Sequence, residues 1–335
     1  TYGADAPTRE GDPTHRQIIY IELPDTLKER VYLRLFDPES GGDHDLLYGP
    51  ANSETRFALY GGDGAYAGDR TIGDDGEPVE ITGGTLLAEK TYTDDARTDG
   101  QWITAALFSP SEGEKRGNKR IFRLNVEGKS GNDGNLYGVA ISLRDRRAVP
   151  PEGVKLFSYA PTIRVPNKTT LTELRFQVPD QETELSIDNF DAAYGKLNLT
   201  TAFRSVPLKP SGQDQWRSET VKLLPDEQGQ PAAITLQGGS EIPNDATFYI
   251  TVKADRFLPL DLPPFNWIPN RRPEISATAT FLDGCRAVAF DASQTRDPDG
   301  NRLSFKWIFS DDTVMEGPAV VKDYNKTGHF KERLE

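Results

Sequence analysis

Hydrophobic and polar positions alternate along much of this chain with a period of two, the spacing of a half-buried β-strand rather than of a helix. In ERVYLRLF, Val31, Leu33 and Leu35 fall on one face, and Tyr32, Arg34 and Phe36 fall on the other. Including that run at 29–38, six segments of the first half read as strands; the others are 17–24, 55–62, 102–110, 120–128 and 136–144. Gly and Asp turns separate them, so residues 1–164 are expected to form one β-sandwich. The style repeats over 165–270, where Leu174, Phe176 and Val178 alternate with Arg175 and Gln177, and a second sandwich is expected there. Its joints are RVPNK and DLPPFNWIPNRRP, the latter Pro-rich enough to act as a stiff linker before a third unit at 271–335.

Composition agrees with this all-β reading of tandem β-sandwich modules. The 335 residues include 30 Gly and 24 Pro, which suits many short strands joined by many turns, and long helices are not expected. No stretch approaches the roughly 18 apolar residues of a membrane-spanning helix, so no transmembrane segment is expected. The single methionine is Met315, so Thr1 is read as following a removed upstream segment, which a cleaved signal peptide fits. The single Cys285 cannot form an internal disulfide, and is read as a small buried hydrophobe or as half of a bridge to a cysteine elsewhere.

The net charge of −13 argues against a nucleic-acid partner, which requires a basic stripe. Its location is more informative. From Asp37 to Asp99 there are 15 Asp and Glu against 4 Lys and Arg, so most of the excess lies in one fifth of the chain. Carboxylates at that density repel unless solvated, disordered or neutralised by a cation.

The segment FDPESGGDHD, starting at Phe36, follows a strand and places Asp37, Glu39, Asp43 and Asp45 on a Gly-containing loop. Such a loop can wrap a hard cation, and Ca²⁺ takes six to eight oxygens at roughly 2.3–2.6 Å. The spacing is not that of an EF-hand. The candidate ligands are therefore Asp37, Glu39, Asp43, Asp45 and, from a second loop, Asp99, with calcium the expected cofactor; the alternative is a solvated acidic turn. Asp94, Asp95 and Asp133 flank strands of the same unit and are second-line candidates.

The third unit carries the most specific motif, FDASQTRDPDGNRLSFKWIFSDD at 290–312, which resembles the PKD domain. Phe290, Asp291, Ser293, Asp297, Asp299, Gly300, Trp307 and Phe309 fall where that pattern places them. The resemblance implies an immunoglobulin-like sandwich with Phe305, Trp307 and Phe309 in its core. It departs from the pattern at Ser310-Asp311-Asp312, where the family has Gly-Asp-Gly, and the unit is expected to lack its last strand. Asp291, Asp297 and Asp299 are read as turn caps before they are read as ligands. The first unit, through its strand order and the FDPESGGDHD and KSGNDGNLYG segments, resembles the bacterial pre-peptidase C-terminal (PPC) sandwich. Together the two resemblances imply a modular bacterial envelope or secreted protein, of a kind that in some cases carries an OmpA-like domain.

Catalytic motifs are missing: no G-x-S-x-G elbow, no H-E-x-x-H pair and no P-loop occurs, and no enzyme is expected. GGDGAYAG at 61–68 mimics a dinucleotide fingerprint, but the AGDRTIGDDGEP that follows cannot open a helix, so it is read as a turn. Trp102, Trp216 and Trp267 are read as core residues before they are read as sugar-stacking platforms. The expected function is a non-catalytic, extracytoplasmic protein that mediates adhesion, with cell-surface or envelope polysaccharide or protein as partner, and spaces other domains. The alternative is the accessory region of a larger secreted hydrolase.

Overall fold

The apolar run RQIIYIELP forms β1 (Arg16–Pro24), and because it is hydrophobic on both faces it sits inside the sheet system rather than over it. Ile19, Ile21 and Leu23 enter the main core of the N-terminal sandwich, while Ile18 and Tyr20 pack on the opposite face with Ile121, Phe157 and Tyr159. The computed structural model describes residues 15–42, 44–47, 49–73, 78–165, 170–193, 195–213, 215–238, 246–263, 273–282, 286–296 and 303–335. Among these there is no α-helix, only short 3₁₀ turns between strands. Contacts divide the chain into two units, Thr1–Asn266 and Trp267–Glu335.

The first unit opens with β1 and continues with β2 (Val31–Phe36), β3 (Glu54–Gly61), β4 (Thr85–Tyr92), β5 (Trp102–Phe108), β6 (Glu114–Arg116), β7 (Lys119–Ser130) and β8 (Gly138–Ser142). All pairings are antiparallel. A short sheet, β5-β2-β8, faces the larger sheet that contains β1, β7, β3 and β4. As the alternation in ERVYLRLF requires, Val31, Leu33 and Leu35 point into the core between them with Phe57, Phe122 and Leu124. The other face of β2 is not solvent: Phe36 is buried against Trp102, with ring centroids 5.6 Å apart, and Arg34 lies 5.7 Å from the same indole.

The chain continues with β9 (Lys155–Ser158), β10 (Thr162–Ile163), β11 (Thr172–Gln177), β12 (Glu184–Phe190), β13 (Lys196–Thr201), β14 (Ser205–Leu208), β15 (Trp216–Lys222), β16 (Pro231–Gln237), β17 (Ala246–Val252), β18 (Arg256–Phe257) and β19 (Leu260–Asp261). A second core, built on Leu174, Phe176, Leu185, Ile187, Phe248 and Ile250, lies between β14-β13-β16-β11-β19 and the sheet of β10, β17, β12, β15 and β18. The two sandwiches share a sheet. Strand β19 pairs with β11 on one side and with β9 on the other, and β9 pairs with β1, so one 11-stranded sheet runs β14-β13-β16-β11-β19-β9-β1-β7-β3-β4, with β6 alongside β7. The sheet thus crosses the expected joint at residues 164 and 165.

GGDGAYAG forms a turn after β3 and leads into the 3₁₀ segment Gly68–Thr71. Its anchor is Arg123, which is fully buried. The guanidinium donates to the carbonyls of Gly64, Ala65, Ile81 and Gly83 and to Asn125 Oδ1, and lies 4.5 Å from the Tyr60 ring. No carboxylate faces it in these contacts; backbone dipoles and an aromatic ring do the neutralising.

The second unit, considered alone, contains β20 (Thr278–Phe281), β21 (Ala287–Asp291), β22 (Lys306–Ile308), β23 (Val314–Glu316), β24 (Ala319–Asp323) and β25 (Arg333–Leu334). They form two three-stranded sheets, β20-β21-β24 and β23-β22-β25. Trp307 and Phe309 are buried with Ala292, and Phe290, Phe305, Met315, Val320 and Leu334 pack around them, which is the aromatic core expected of the motif. Trp307 Nε1 donates to the Gly317 carbonyl at 3.0 Å. The Ser310-Asp311-Asp312 hairpin is tied down by Lys322, whose buried ammonium donates to Asp311 at 2.6 Å and to Thr313 at 2.9 Å.

Candidate metal centre

Strand β2 ends at Phe36, and the next residue turns the chain: Asp37 has φ of 48°, in the left-handed region where Asp and Asn are the usual non-glycine occupants. This aims the Asp37 carboxylate across the end of the sandwich at the β4–β5 connection, where Gly100 N donates to Oδ1 at 2.8 Å and Asp37 N donates to the Gln101 carbonyl at 3.0 Å. Glu39 accepts from Asp95 N at 3.2 Å. Asp45 folds back on its own loop and accepts from Gly41 N at 2.7 Å and Leu136 N at 2.6 Å. Asp37, Glu39 and Asp45 are all buried, the first two completely.

The β4–β5 connection adds two more carboxylates. A Cβ placed on Gly41 would lie 2.9 Å from both Asp94 Oδ1 and Glu39 Oε2, and one placed on Gly42, at φ of 62°, would run into the Asp99 carboxylate. These two glycines are what lets the second loop come so close. The His44 ring, 5.9 Å from Phe36, offers a nitrogen that lies with oxygens of Asp37 and Asp99 inside a 4.8 Å cluster.

The electrostatics are unfavourable without a counter-charge. Burial first, and then the neighbouring Asp99, push the Asp37 carboxyl up to about 6. Burial also raises Glu39 to about 7, helped by Asp37, Asp99 and Asp94, and Asp45 to about 8, helped by Asp37 and Glu39. Hydrogen bonding is incomplete at the same place. Asp37 Oδ2, Glu39 Oε1 and Asp99 Oδ1 are buried acceptors without a hydrogen-bond partner, and Ser40 Oγ, Tyr92 Oη and Asn135 Oδ1 nearby in the chain path share that condition. Buried carboxylate oxygens are rarely left so. An oxygen-rich, negatively charged pocket with unused acceptors fits a hard divalent cation better than a soft one.

Of the residues singled out from the sequence, Asp37, Glu39, Asp45 and Asp99 come together here, while Asp43 lies outside the described residues. Asp94 joins them from the second-line group. Asp95 instead holds Arg97 through paired contacts of 2.8 Å. Asp133 is buried and accepts from Asn52 N and Ser53 N, which makes it a loop cap rather than a member of the cluster. His44 was not singled out as a ligand, although its position between Asp43 and Asp45 was the available signal. Asp291 is exposed and caps Ser293 N at 2.8 Å; Cys285, Asp297, Asp299 and Trp267 lie outside the described residues. Trp102 and Trp216 are half-buried, the first against Phe36 and the second between Phe190 and Tyr249.

Comparison with known proteins bears on the C-terminal unit. Residues 270–335 match the family model of the PKD domain. The C-terminal part of the chain is therefore PKD-like, as its FDAS and DPDG segments indicate, in keeping with a modular extracellular protein. No curated protein matches the chain. Among solved structures, the glycoside hydrolase domain of Endo-D from Streptococcus pneumoniae aligns at 13% identity with a TM-score of 0.19, over 54% of this chain. The chain spans about a third of that protein, 33% of its length. An alignment this loose carries no argument about fold or activity.

Proposed function

We propose that this chain is the non-catalytic part of an extracytoplasmic, cell-envelope or secreted protein, which makes contacts with polysaccharide or protein and holds neighbouring domains apart, and that its N-terminal sandwich binds calcium. The observation that carries the calcium reading is the set of three buried carboxylate oxygens, on Asp37, Glu39 and Asp99, left without partners at one end of the sandwich. The resemblance of that segment's sequence to the PPC sandwich agrees with this reading. The PKD-like unit supports a modular extracellular setting, and the shared 11-stranded sheet supports the spacing role.

The test is calorimetric titration of the full chain with calcium, magnesium and zinc, together with melting curves at matched ionic strength. Calcium is expected to bind and to raise the melting temperature by several degrees; magnesium, which prefers a tighter octahedron and keeps its waters, is expected to do much less. Stabilisation by zinc alone would assign the site to the His44 nitrogen and defeat the calcium reading. Equal shifts with calcium and magnesium, or no binding of any ion, would reduce the cluster to a charged loop.

A further inference from the structure

We propose that the cation at the end of the N-terminal sandwich is a clamp between two loops, with Asp94 and Asp99 of the β4–β5 connection completing a shell begun by Asp37 and Glu39. This rests on the calcium reading above and adds to it Asp94 as a ligand and the consequence of binding, the joining of the two loops. Hydrogen bonds between the two loops run from Asp37 N to the Gln101 carbonyl, from Gly100 N to Asp37 Oδ1 and from Asp95 N to Glu39 Oε2, and the last two end on carboxylates of the cluster itself. Among the described residues, no Lys or Arg side chain forms an ion pair across the joint, and the basic group that lies between the loops is the His44 ring. Arg97, the one basic residue between Thr93 and Gln101, is committed to Asp95 in its own loop and is 89% exposed.

Four carboxylates therefore meet across this joint, two from each loop. Asp37 and Glu39 are fully buried and each keeps one oxygen unpartnered, Asp99 Oδ1 is likewise unpartnered, and Asp94 Oδ1 and Glu39 Oε2 flank the same point above Gly41. Carboxylates brought together from separate loops, with acceptors unused and the His44 nitrogen beside them, are a donor set that a divalent ion can hold together. An ion held there opposes opening of the β4–β5 connection, since opening strips it of the ligands from one side.

The experiment uses the full chain with calcium chloride or a chelator, and follows limited trypsin digestion by mass spectrometry at the bond after Arg97, with the bond after Arg333 in the other unit as internal reference. When cleavage is slow relative to reclosing, it reports the population of the open loop. Calcium is expected to slow cleavage after Arg97 by about tenfold or more at saturation, while leaving the reference bond unchanged. Asp94 is exposed, so Asp94→Asn is expected to fold normally; it should weaken calcium binding and remove most of the protection at Arg97. If calcium binds but Asp94→Asn binds it equally well and cleavage after Arg97 ignores the ion, the clamp is refuted and the calcium reading survives. If calorimetry finds no calcium binding and cleavage is unaffected, both fail.

Discussion

Replacing Asp37 by Asn should invert its effect on stability according to whether calcium is present. Asn tolerates the left-handed backbone that Asp37 adopts at φ of 48°, and its Oδ1 can keep the hydrogen bond from Gly100 N. The atom replaced is Oδ2, which has no partner; as an amide nitrogen it gains a donor to offer to Asp99 Oδ1, also without one. The buried carboxyl titrates near 6 instead of 3.8. At about 1.4 kcal/mol per pH unit, holding it ionised at pH 8 costs the ion-free fold up to about 3 kcal/mol. Allowing for relaxation, about 2 kcal/mol is a working figure, or about 4–8 °C in melting temperature for a unit of this size. With calcium the sign reverses, because the lost ligand removes a stabilisation of RT ln(1 + [L]/Kd), about 2.7 kcal/mol at a hundredfold excess over Kd. Calorimetric melting of both proteins in chelator and in calcium, at pH 8 and constant ionic strength, supplies the four values needed. A variant that melts lower than wild type in chelator, and responds to calcium as wild type does, would refute the reasoning.

Three further outcomes are expected. In chelator, the folded-state carboxyls of Asp37, Glu39 and Asp45 sit above their unfolded values, so the fold binds more protons than the denatured chain between about pH 4 and 8, and stability should decline as pH rises through that window; urea midpoints that rise or stay flat over the range would contradict the burial argument. Arg123→Met should lower the stability of the first unit by about 3 kcal/mol or more, because four loop carbonyls lose a charged donor, and hydrogen exchange should quicken around Gly64 and Gly83; a loss under about 1 kcal/mol would mean that water replaces the guanidinium at little cost. Peptide, ester and glycan substrates should be turned over no faster than blank by the full chain, and activity abolished by one Asp or Glu substitution would overturn the non-catalytic reading.

The strands were legible wherever one face is buried and the other wet. Leu174 and Phe176 of β11 alternate with the more exposed Glu173 and Arg175 as their spacing demands, and β7, Lys119–Ser130, read at 120–128, was legible although it is buried on both faces. Alternation failed to mark β4, whose TLLAEKTY is mostly exposed at a sheet edge and so carries no period. It also hid the second buried face of β2, where Phe36 and Arg34 pack on Trp102 from a loop-end position that no local pattern encodes. The sheet that crosses residues 164 and 165 depends on β19, two residues long and about a hundred positions from the β9 residues it pairs with, and pairings that distant leave little trace in a single sequence. The acidic loop was legible from its density of carboxylates. What the sequence could not show is that the β4–β5 connection folds onto it, since that depends on the close approach at Gly41 and Gly42.

The order of strands in the shared sheet has a mechanical consequence. Strands β1 and β19, the first and last of the N-terminal unit, lie on either side of β9 and are both antiparallel to it, so they run parallel to one another through the middle of the sheet. The start of β1 and the end of β19 therefore point to opposite ends. Tension applied along the chain through these two strands would slide β1 lengthwise against β9 and β7 and β19 in the opposite direction against β9 and β11, loading the rungs of each ladder together in shear instead of peeling them one at a time. The nine-residue register between β1 and β7 shares that load. A tether under flow or wall strain would draw on the same pairing that makes the two sandwiches one body.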